Sequence, residues 1–113
     1  MDALLRAVAD GSRRTVLETL RDGDATAGEL AELLPIARPG VSRHLRVLRE
    51  AGLVDVRHDG QHRVYSLRAE PLSGLDEWLE PFRVAWTQRF DALHTEVARG
   101  KHGRTTDPRK DLP

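Results

Sequence analysis

Apolar residues recur at helical intervals through the first part of the chain and predict helices there. The first helix covers residues 2–9, where Leu4, Leu5 and Val8 lie on one side. We expect Ser12 to be the N-cap of the second helix. Three apolar side chains mark the inner face of that second helix: Val16, Leu17 and Leu20.

Two further helices follow with clear start and stop signals. Thr26-x-x-Glu29 is a capping box that opens a third helix, which ends before Pro35. Pro39 suits the first position of a fourth helix, and Gly52 suits its C′ position. Two helices joined by a short turn, the second with polar donors facing outward, are typical of a helix-turn-helix. The buried stripe of the fourth helix consists of Val41, Leu45 and Leu48.

After the fourth helix the apolar period changes from helical to alternating. Val54 and Val56 alternate with polar residues and predict one strand, and residues 64–67 predict a second. Asp59-Gly60 between them is typical of a two-residue hairpin turn. The second helix of a helix-turn-helix, here the fourth helix of the chain, is called the recognition helix. A hairpin that directly follows it is called a wing.

A last helix is predicted over residues 73–98, where large apolar side chains recur every three to four residues. Pro81 interrupts this pattern, so the helix either restarts or kinks there. The predicted fold is mainly α with a small β-hairpin: a winged helix-turn-helix in the order ααααββα. We assign it to one domain, residues 1–98, followed by a polar tail, residues 99–113, that we expect to be disordered.

The last helix carries four of the five aromatic residues of the chain in one stripe. A filled core within one chain is one explanation. A single small winged helix cannot cover such a stripe, so we expect a homodimer through the first and last helices. A small apolar effector could occupy the same layer. The residues expected at the dimer interface are Leu4, Leu5, Val8, Trp78, Phe82, Trp86, Phe90, Leu93 and Val97.

Composition narrows the function classes. The chain has 113 residues and no cysteine, which excludes disulfides, thiolate metal sites and cysteine nucleophiles. No apolar run exceeds three residues, so we expect a cytoplasmic protein with no membrane partner. The formal net charge is zero. Residues 36–65 nevertheless hold six arginines and three carboxylates. The segment with the predicted fourth helix and wing therefore has an excess of three positive charges.

Outward-facing residues of the fourth helix are candidate DNA contacts. Arginine can bind guanine O6 and N7 in the major groove, so we expect Arg38, Ser42 and Arg43 to read bases. Arg46 and Arg49 lie further along the helix and are expected to meet phosphates. An ordinary solvated helix face is the alternative for Arg38, Ser42 and Arg43.

Three other residues are candidate phosphate ligands. Arg13 and Arg14 open the second helix, where backbone N–H groups and the helix dipole attract a phosphate. One of the two arginines could instead pair with Asp10. His44 lies on the flank of the buried stripe, where a phosphate contact and a packed, hydrogen-bonded ring are both consistent with the pattern.

The predicted wing carries four polar side chains that could follow the DNA backbone or enter the minor groove: Arg57, His58, Gln61 and Arg63. The alternative is a charged hairpin whose polar residues keep its exposed edges from aggregating.

Several segments together resemble the ArsR/SmtB family of bacterial winged-helix repressors. They are residues 10–17 (DGSRRTVL), 29–34 (ELAELL), 41–54 (VSRHLRVLREAGLV) and 60–67 (GQHRVYSL). The resemblance covers residues 1–98 and implies a homodimer on a pseudo-palindromic DNA operator, released when a signal arrives. This chain resembles the cysteine-free branch of the family.

The resemblance also bears on metals. Where metal-sensing members carry a Cys-x-Cys pair, this chain reads Ala31-Glu32-Leu33, so the thiolate ligands are missing. Other members use carboxylates and histidines on the last helix, where this chain offers Asp91, His94 and Glu96. That set lacks the second His-x-x-Glu motif. We therefore expect no metal and no cofactor, and the effector is left open.

Two other function classes are alternatives to DNA binding. A winged helix can also dock another regulator instead of DNA, although the outward arginines argue against that alternative. The sequence shows no nucleophile–base constellation, paired carboxylates or phosphate loop, so an enzyme is not expected.

Overall fold

The computed structural model describes residues 1–100, with side chains as far as Val97. It contains five helices and three strands within that range, in nearly the predicted order. The helices are α1 (Asp2–Val8), α2 (Gly11–Asp22), α3 (Ala27–Leu33), α4 (Arg38–Glu50) and α5 (Leu72–Gly100). The strands are β1 (Ala25–Thr26), β2 (Val54–Asp59) and β3 (His62–Leu67).

The described chain divides into two compact units, one from Met1 to Asp76 and one beginning at Glu77. The first unit has an apolar core in which the predicted stripe of α4 is buried. Burial of each such side chain contributes on the order of 1.5–3 kcal/mol, so this core accounts for the packing of α4 against the other elements. Its most deeply buried large side chains are Val16, Leu30, Leu48, Leu53 and Val54.

The structure confirms one predicted helix start and corrects another. Thr26 and Glu29 form the capping box at the start of α3, with both reciprocal hydrogen bonds present. Ser12 is not the N-cap of α2. Asp10 has that role instead, because its Oδ2 accepts a hydrogen bond from the Arg13 N–H at 3.1 Å.

The C-terminus of α4 ends in a Schellman motif at the predicted glycine. Gly52 N–H donates to Arg49 O and Leu53 N–H donates to Leu48 O, each at 3.0 Å. Gly52 has φ of 76°, which a side chain would strain. The motif turns the chain directly from the recognition helix into the wing.

The hairpin is one residue out of the predicted position. Asp59 pairs with His62, so the two-residue turn is Gly60–Gln61 and not Asp59-Gly60. Gly60 takes the positive φ, 62°, that such a turn needs at its first position.

The sheet also contains a strand that the sequence did not predict. β1 pairs antiparallel with β3, giving the order β1-β3-β2. A strand of two residues is too short to show an alternating pattern. Because β1 leads directly into the N-cap of α3, it ties the wing to the helix-turn-helix.

The last helix runs without a break from Leu72 to Gly100 and so continues through Pro81. The restart that the sequence left open therefore does not occur. The helix extends slightly beyond the predicted residue 98, whereas residues 101–113 of the predicted tail lie outside the described residues. In the part of the chain that the structure describes, no helix combines the length and apolar character needed to cross a bilayer.

Candidate nucleic-acid interface

A groove of about 380 Å³ opens between α3, α4 and β3 in the first unit. Its floor is made of small and apolar residues, and its rim is cationic. The uncharged residues that line the groove are Ala27, Gly28, Ala31, Val41, Ser42, Leu45 and Tyr65. The four arginines that line it are Arg38, Arg46, Arg49 and Arg63.

Four polar residues of α4 line the groove because of their spacing. Arg38, Ser42, Arg46 and Arg49 follow one another at intervals of four, four and three residues, which places them on one face of the helix. Two of the predicted base readers thus share a face with both predicted phosphate contacts of α4. Arg43 is exposed but does not line the groove, so it lies apart from the other base-reading candidates.

Five arginine side chains on α4 and β3 have no acceptor among the residues that the structure describes. They are the side chains of Arg38, Arg43, Arg46, Arg49 and Arg63, which make no hydrogen bond or ion pair within the described part of the chain. An arginine presents five N–H donors in a fixed fork, and this fork matches the oxygens of a phosphate or a guanine edge. This side of the first unit therefore carries several guanidinium groups whose positive charge is not neutralised by a neighbouring carboxylate among the described residues.

Arg13 and Arg14, two predicted phosphate ligands, donate to the end of α1 instead. Arg13 Nε donates to Ala7 O and Arg13 Nη2 donates to Arg6 O, both at 2.8 Å. Arg14 Nη1 donates to Val8 O at 2.9 Å. The two side chains thereby donate to three carbonyl groups in the last turn of α1. Of the two, Arg14 is exposed and Arg13 is half-buried.

His44 lies against the start of α2, where its ring is hydrogen-bonded. Its Nδ1 is 3.1 Å from Arg13 Nη1, and its Nε2 is 3.8 Å from Asp10 Oδ2. The side chain is 16% exposed, which favours the packed alternative that the sequence left open over a phosphate contact.

The four predicted contacts of the wing divide between its two faces and its turn. Residues paired across a hairpin share a face, so His58 lies on the same side as its partner Arg63, which lines the groove. Arg57 lies on the opposite face, where Nη1 is 2.8 Å from Asp24 Oδ2. Gln61 is exposed in the turn.

Two carboxyl groups near this surface have pKa values below their ordinary range. The backbone hydrogen bond from Arg13 is the main cause for Asp10, with smaller contributions from the nearby charges of His44 and Arg13. The backbone hydrogen bond from Thr26 lowers the pKa of Glu29. In both cases a helix N-terminus stabilises the charged form of a carboxylate.

The predicted dimer residues fall into three groups. Leu4 is buried in the core of the first unit. Leu5 is exposed on α1, and Val8 packs partly against the core. The predicted interface residues of α5 are largely accessible to solvent. Those that are exposed are Trp78, Phe82, Trp86 and Leu93, and those that are half-buried are Phe90 and Val97.

The aromatic side chains of α5 begin to pack on one another within the helix. The ring centroids of Trp78 and Phe82 are 4.8 Å apart, with a tilt of 45° between the ring planes. Both rings remain about half exposed, so this contact covers only part of each ring.

The carboxylates and histidine of α5 do not converge. In the described part of the chain, no group of three or more His, Asp or Glu side chains is placed to hold a metal ion. Asp91 and His94 are both exposed on the helix surface.

Sequence reasoning missed several residues that shape this surface. Tyr65 is 5% exposed and forms part of the groove floor, although only its strand was predicted. Ala27, Gly28 and Ala31 form the α3 wall of the groove, and their small size was the available signal. Asp24 precedes β1 and offered no signal, since its partner Arg57 is 33 residues away.

Comparisons with known proteins agree with this geometry. Residues 8–57 match a helix-turn-helix domain family. The HTH-type transcriptional regulator Rv2034 of Mycobacterium tuberculosis is 45% identical over 87 residues, covering 77% of this chain and 78% of that protein. The transcriptional repressor SdpR of Bacillus subtilis is 35% identical over 82 residues, covering 73% of this chain and 91% of that protein.

Solved structures give the same result. The crystal structure of the ArsR family transcriptional regulator RHA00566 superposes with a TM-score of 0.70 at 30% identity, covering 76% of this chain and 89% of that one. A possible transcriptional regulator for arsenical resistance superposes with a TM-score of 0.67 at 37% identity, covering 81% and 95%. These relatives are transcriptional regulators and not enzymes. The chain therefore belongs to the ArsR family of winged helix-turn-helix transcriptional regulators.

Proposed function

We propose that this protein is a cytoplasmic, homodimeric repressor that binds a pseudo-palindromic operator in double-stranded DNA. The observation that carries the proposal is the set of five arginines without protein acceptors, among the described residues, on α4 and the groove-facing side of the wing. An arginine left unpaired beside a groove is suited to the oxygens of a sugar-phosphate strand. A relative named as a repressor supports the direction of regulation.

The roles of the individual residues follow from their positions. Arg43 lies outside the groove and has no partner among the described residues, so we assign it to base reading together with Ser42 and Arg38 at the start of α4. Arg46 and Arg49 are assigned to phosphates, as is Arg63 on β3. His58 and Gln61 are secondary wing contacts.

Arg13, Arg14, His44 and Arg57 are no longer assigned to DNA. Each donates to or accepts from a group of the protein itself, and an arginine already bonded gains less from a phosphate. The proposed interface is therefore smaller and more localised than the sequence indicated.

Dimerisation is proposed from the exposed apolar stripe on α5. Trp78, Phe82 and Leu93 are each about half exposed along one helix, and larger exposed apolar patches of this kind mark interaction sites. A two-fold pairing of α5 with the same helix of a second copy, with Leu5 of α1 contributing, would bury them. Two recognition helices would then reach half-sites about one helical turn, roughly 34 Å, apart.

Residues 1–98 are proposed to form the DNA-binding and dimerisation domain. This domain is proposed to contain no thiolate metal sensor. The absence of cysteine removes that mode of sensing.

Footprinting of the purified protein on the promoter region of its own gene tests the proposal. We expect protection of two half-sites about one turn apart, and a log–log salt slope of about −0.9 for each neutralised phosphate. A triple variant, Arg43→Gln, Arg46→Gln and Arg63→Gln, should lose binding, whereas the matched variant Arg21→Gln on the exposed surface of α2 should keep it. Equal binding to random DNA and to the promoter would contradict the proposal. A tight protein partner with only weak DNA binding would instead favour a protein-docking module.

A further inference from the structure

Three helices meet at the side chains of Arg13 and His44. Arg13 stands in the first turn of α2, and its Nε and Nη2 donate to carbonyl oxygens of Ala7 and Arg6 at the end of α1. Its third nitrogen, Nη1, lies 3.1 Å from Nδ1 of His44 in the middle of α4. One guanidinium group thus connects the recognition helix to both preceding helices.

The chemistry of the two groups fixes the direction of this hydrogen bond. A guanidinium can only donate, so His44 Nδ1 must be the unprotonated, accepting nitrogen of the ring. The ring proton then lies on Nε2, which faces Asp10 Oδ2 at 3.8 Å. The contact with Arg13 therefore requires one particular neutral tautomer of His44.

We propose that Arg13 and His44 position the recognition helix against α1 and α2, and that this joint holds only while His44 is uncharged. The inference deepens the proposed function, because a change in the angle of α4 would misplace Arg38, Arg43 and Arg46 on the operator. It assigns to His44 and Arg13 a role in orienting the reading residues in place of direct contact with DNA.

Protonation of His44 alters the joint in a defined way. The added proton occupies Nδ1, so two donors and two positive charges then face each other across 3.1 Å. The charged groups that face the ring are Arg13 and Asp10 from the start of α2, while α1 contributes the carbonyl oxygens to which Arg13 donates. A charged ring is attracted to Asp10 and repelled by Arg13, so it moves away from the guanidinium and the joint opens.

The test compares wild type with His44→Asn, whose side-chain oxygen can accept from Arg13 but cannot be protonated. Operator affinity is measured by fluorescence anisotropy from pH 8 to pH 5.5. At pH 8 the two proteins should bind within twofold of each other, and at the acid end wild type should be weaker by about fivefold, the effect of one net hydrogen bond. The ratio of the wild-type affinity to the His44→Asn affinity is taken at each pH. This ratio removes the general effect of pH on DNA binding, because both proteins carry the same wing histidines. A ratio that stays constant with pH, with both proteins folded by circular dichroism, would overturn the proposal.

A second pair of variants separates the joint from simple capping of α1. Arg14→Gln removes an arginine that donates to the same end of α1 but makes no hydrogen bond to His44. Arg13→Gln removes the contact to His44 as well. Both variants should lower thermal stability. His44→Asn is then added to each variant. In the Arg14→Gln background it should still change how operator affinity depends on pH, as it does in the wild type. In the Arg13→Gln background it should have no such effect. A similar loss in both variants would contradict a positioning role.

A measurement without DNA keeps this inference separate from operator binding. The ¹⁵N chemical shifts of the His44 ring distinguish an accepting nitrogen from a protonated one. We expect Nδ1 to be unprotonated at pH 8 in the free protein. A protonated Nδ1 at that pH would overturn the proposed joint. An unprotonated Nδ1 in a protein that binds no operator would overturn the proposed function alone.

Discussion

Arg57 Nη1 lies 2.8 Å from Asp24 Oδ2, so the segment that leads into α3 already neutralises one arginine of the wing. Arg63, two residues beyond the turn, lines the groove and makes no hydrogen bond or ion pair among the described residues. Two arginines that are equivalent in the sequence pattern are therefore different in the structure.

This difference predicts unequal effects on DNA binding. Arg63→Gln should weaken operator binding about tenfold, because a hydrogen bond to a charged group contributes about 1.5 kcal/mol or more. It should also reduce the magnitude of the salt slope by about 0.9. Arg57→Gln should change both quantities much less. Anisotropy titrations at several salt concentrations measure the two variants side by side, and equal losses would show that the ion pair with Asp24 opens on DNA.

Base reading and phosphate contact should be separable on α4. Arg43→Ala should lower the discrimination at one operator position by about 1–3 kcal/mol and leave binding to the remaining positions unchanged. Arg46→Ala should weaken all sequences alike, since a phosphate contact carries no sequence information. Binding to a panel of single-position operator variants checks both expectations. If Arg46→Ala changes the preferred base, the two roles have been assigned the wrong way round.

The exposed stripe on α5 should control the oligomeric state. Phe82→Glu places a charge in the stripe at a position that is half exposed, so the helix itself can still form. We expect this variant to sediment as a monomer and to lose cooperative binding to the two half-sites. Gln88→Glu adds the same charge at an exposed polar position of the same helix and should leave the sedimentation coefficient unchanged. A Phe82→Glu protein that sediments like wild type would exclude α5 as the interface.

Asp10 should make stability depend on pH at the acid end. Its pKa is lowered in the folded state, mainly by the hydrogen bond from the Arg13 N–H, so the stabilisation is present above the unfolded pKa and is lost as pH falls through the folded pKa. Asp10→Asn retains an N-cap acceptor and should lose much of the pH dependence below about pH 4. Asp10→Ala removes the cap altogether and should cost about 1 kcal/mol at neutral pH. Urea melts from pH 2.5 to pH 7 measure both effects. A steep acid dependence that persists in Asp10→Asn would assign it to other carboxylates.

Two glycines should respond in opposite directions to alanine. Gly52 has φ of 76°, so Gly52→Ala should destabilise the protein by about 1 kcal/mol or more, although a Cβ there would meet Pro71 Cγ only at an ordinary 3.7 Å. Gly74 lies inside α5 with open space around its Cβ position. Gly74→Ala should therefore stabilise the protein by about 0.5–1 kcal/mol. Thermal denaturation of the pair gives the comparison, and a neutral Gly52→Ala would refute the argument from backbone strain.

Local patterns predicted most of the fold. The stripe of Val41, Leu45 and Leu48 and the capping box at Thr26 are statements about neighbours within one or two turns, and they hold in the structure. Gly52 ends α4 for the same local reason. The short strand β1 was missed because its pairing with β3 joins residues about 40 positions apart.

The candidate site was less predictable because its selection depends on tertiary partners. Arg13, Arg57 and Arg63 have the same status in the sequence, since each is an arginine on a charged segment. The structure bonds Arg13 to α1 and Arg57 to Asp24, whereas Arg63 stays unpaired among the described residues beside the groove. Similarly, helical spacing could not tell that Leu4 belongs to the core of its own chain. In each case the deciding contact lies outside the window that a periodic pattern can read.

The pairing of β1 with β3 has a mechanical consequence for the groove. Thr26 is both the last residue of β1 and the N-cap of α3, so the sheet and the α3 wall of the groove share one residue. Moving the wing away from α3 would disturb the β1–β3 pairing or the capping box. The β1–β3 pairing and the capping box therefore act in series, and together they hold β3, which carries Arg63, against the α3 side of the groove.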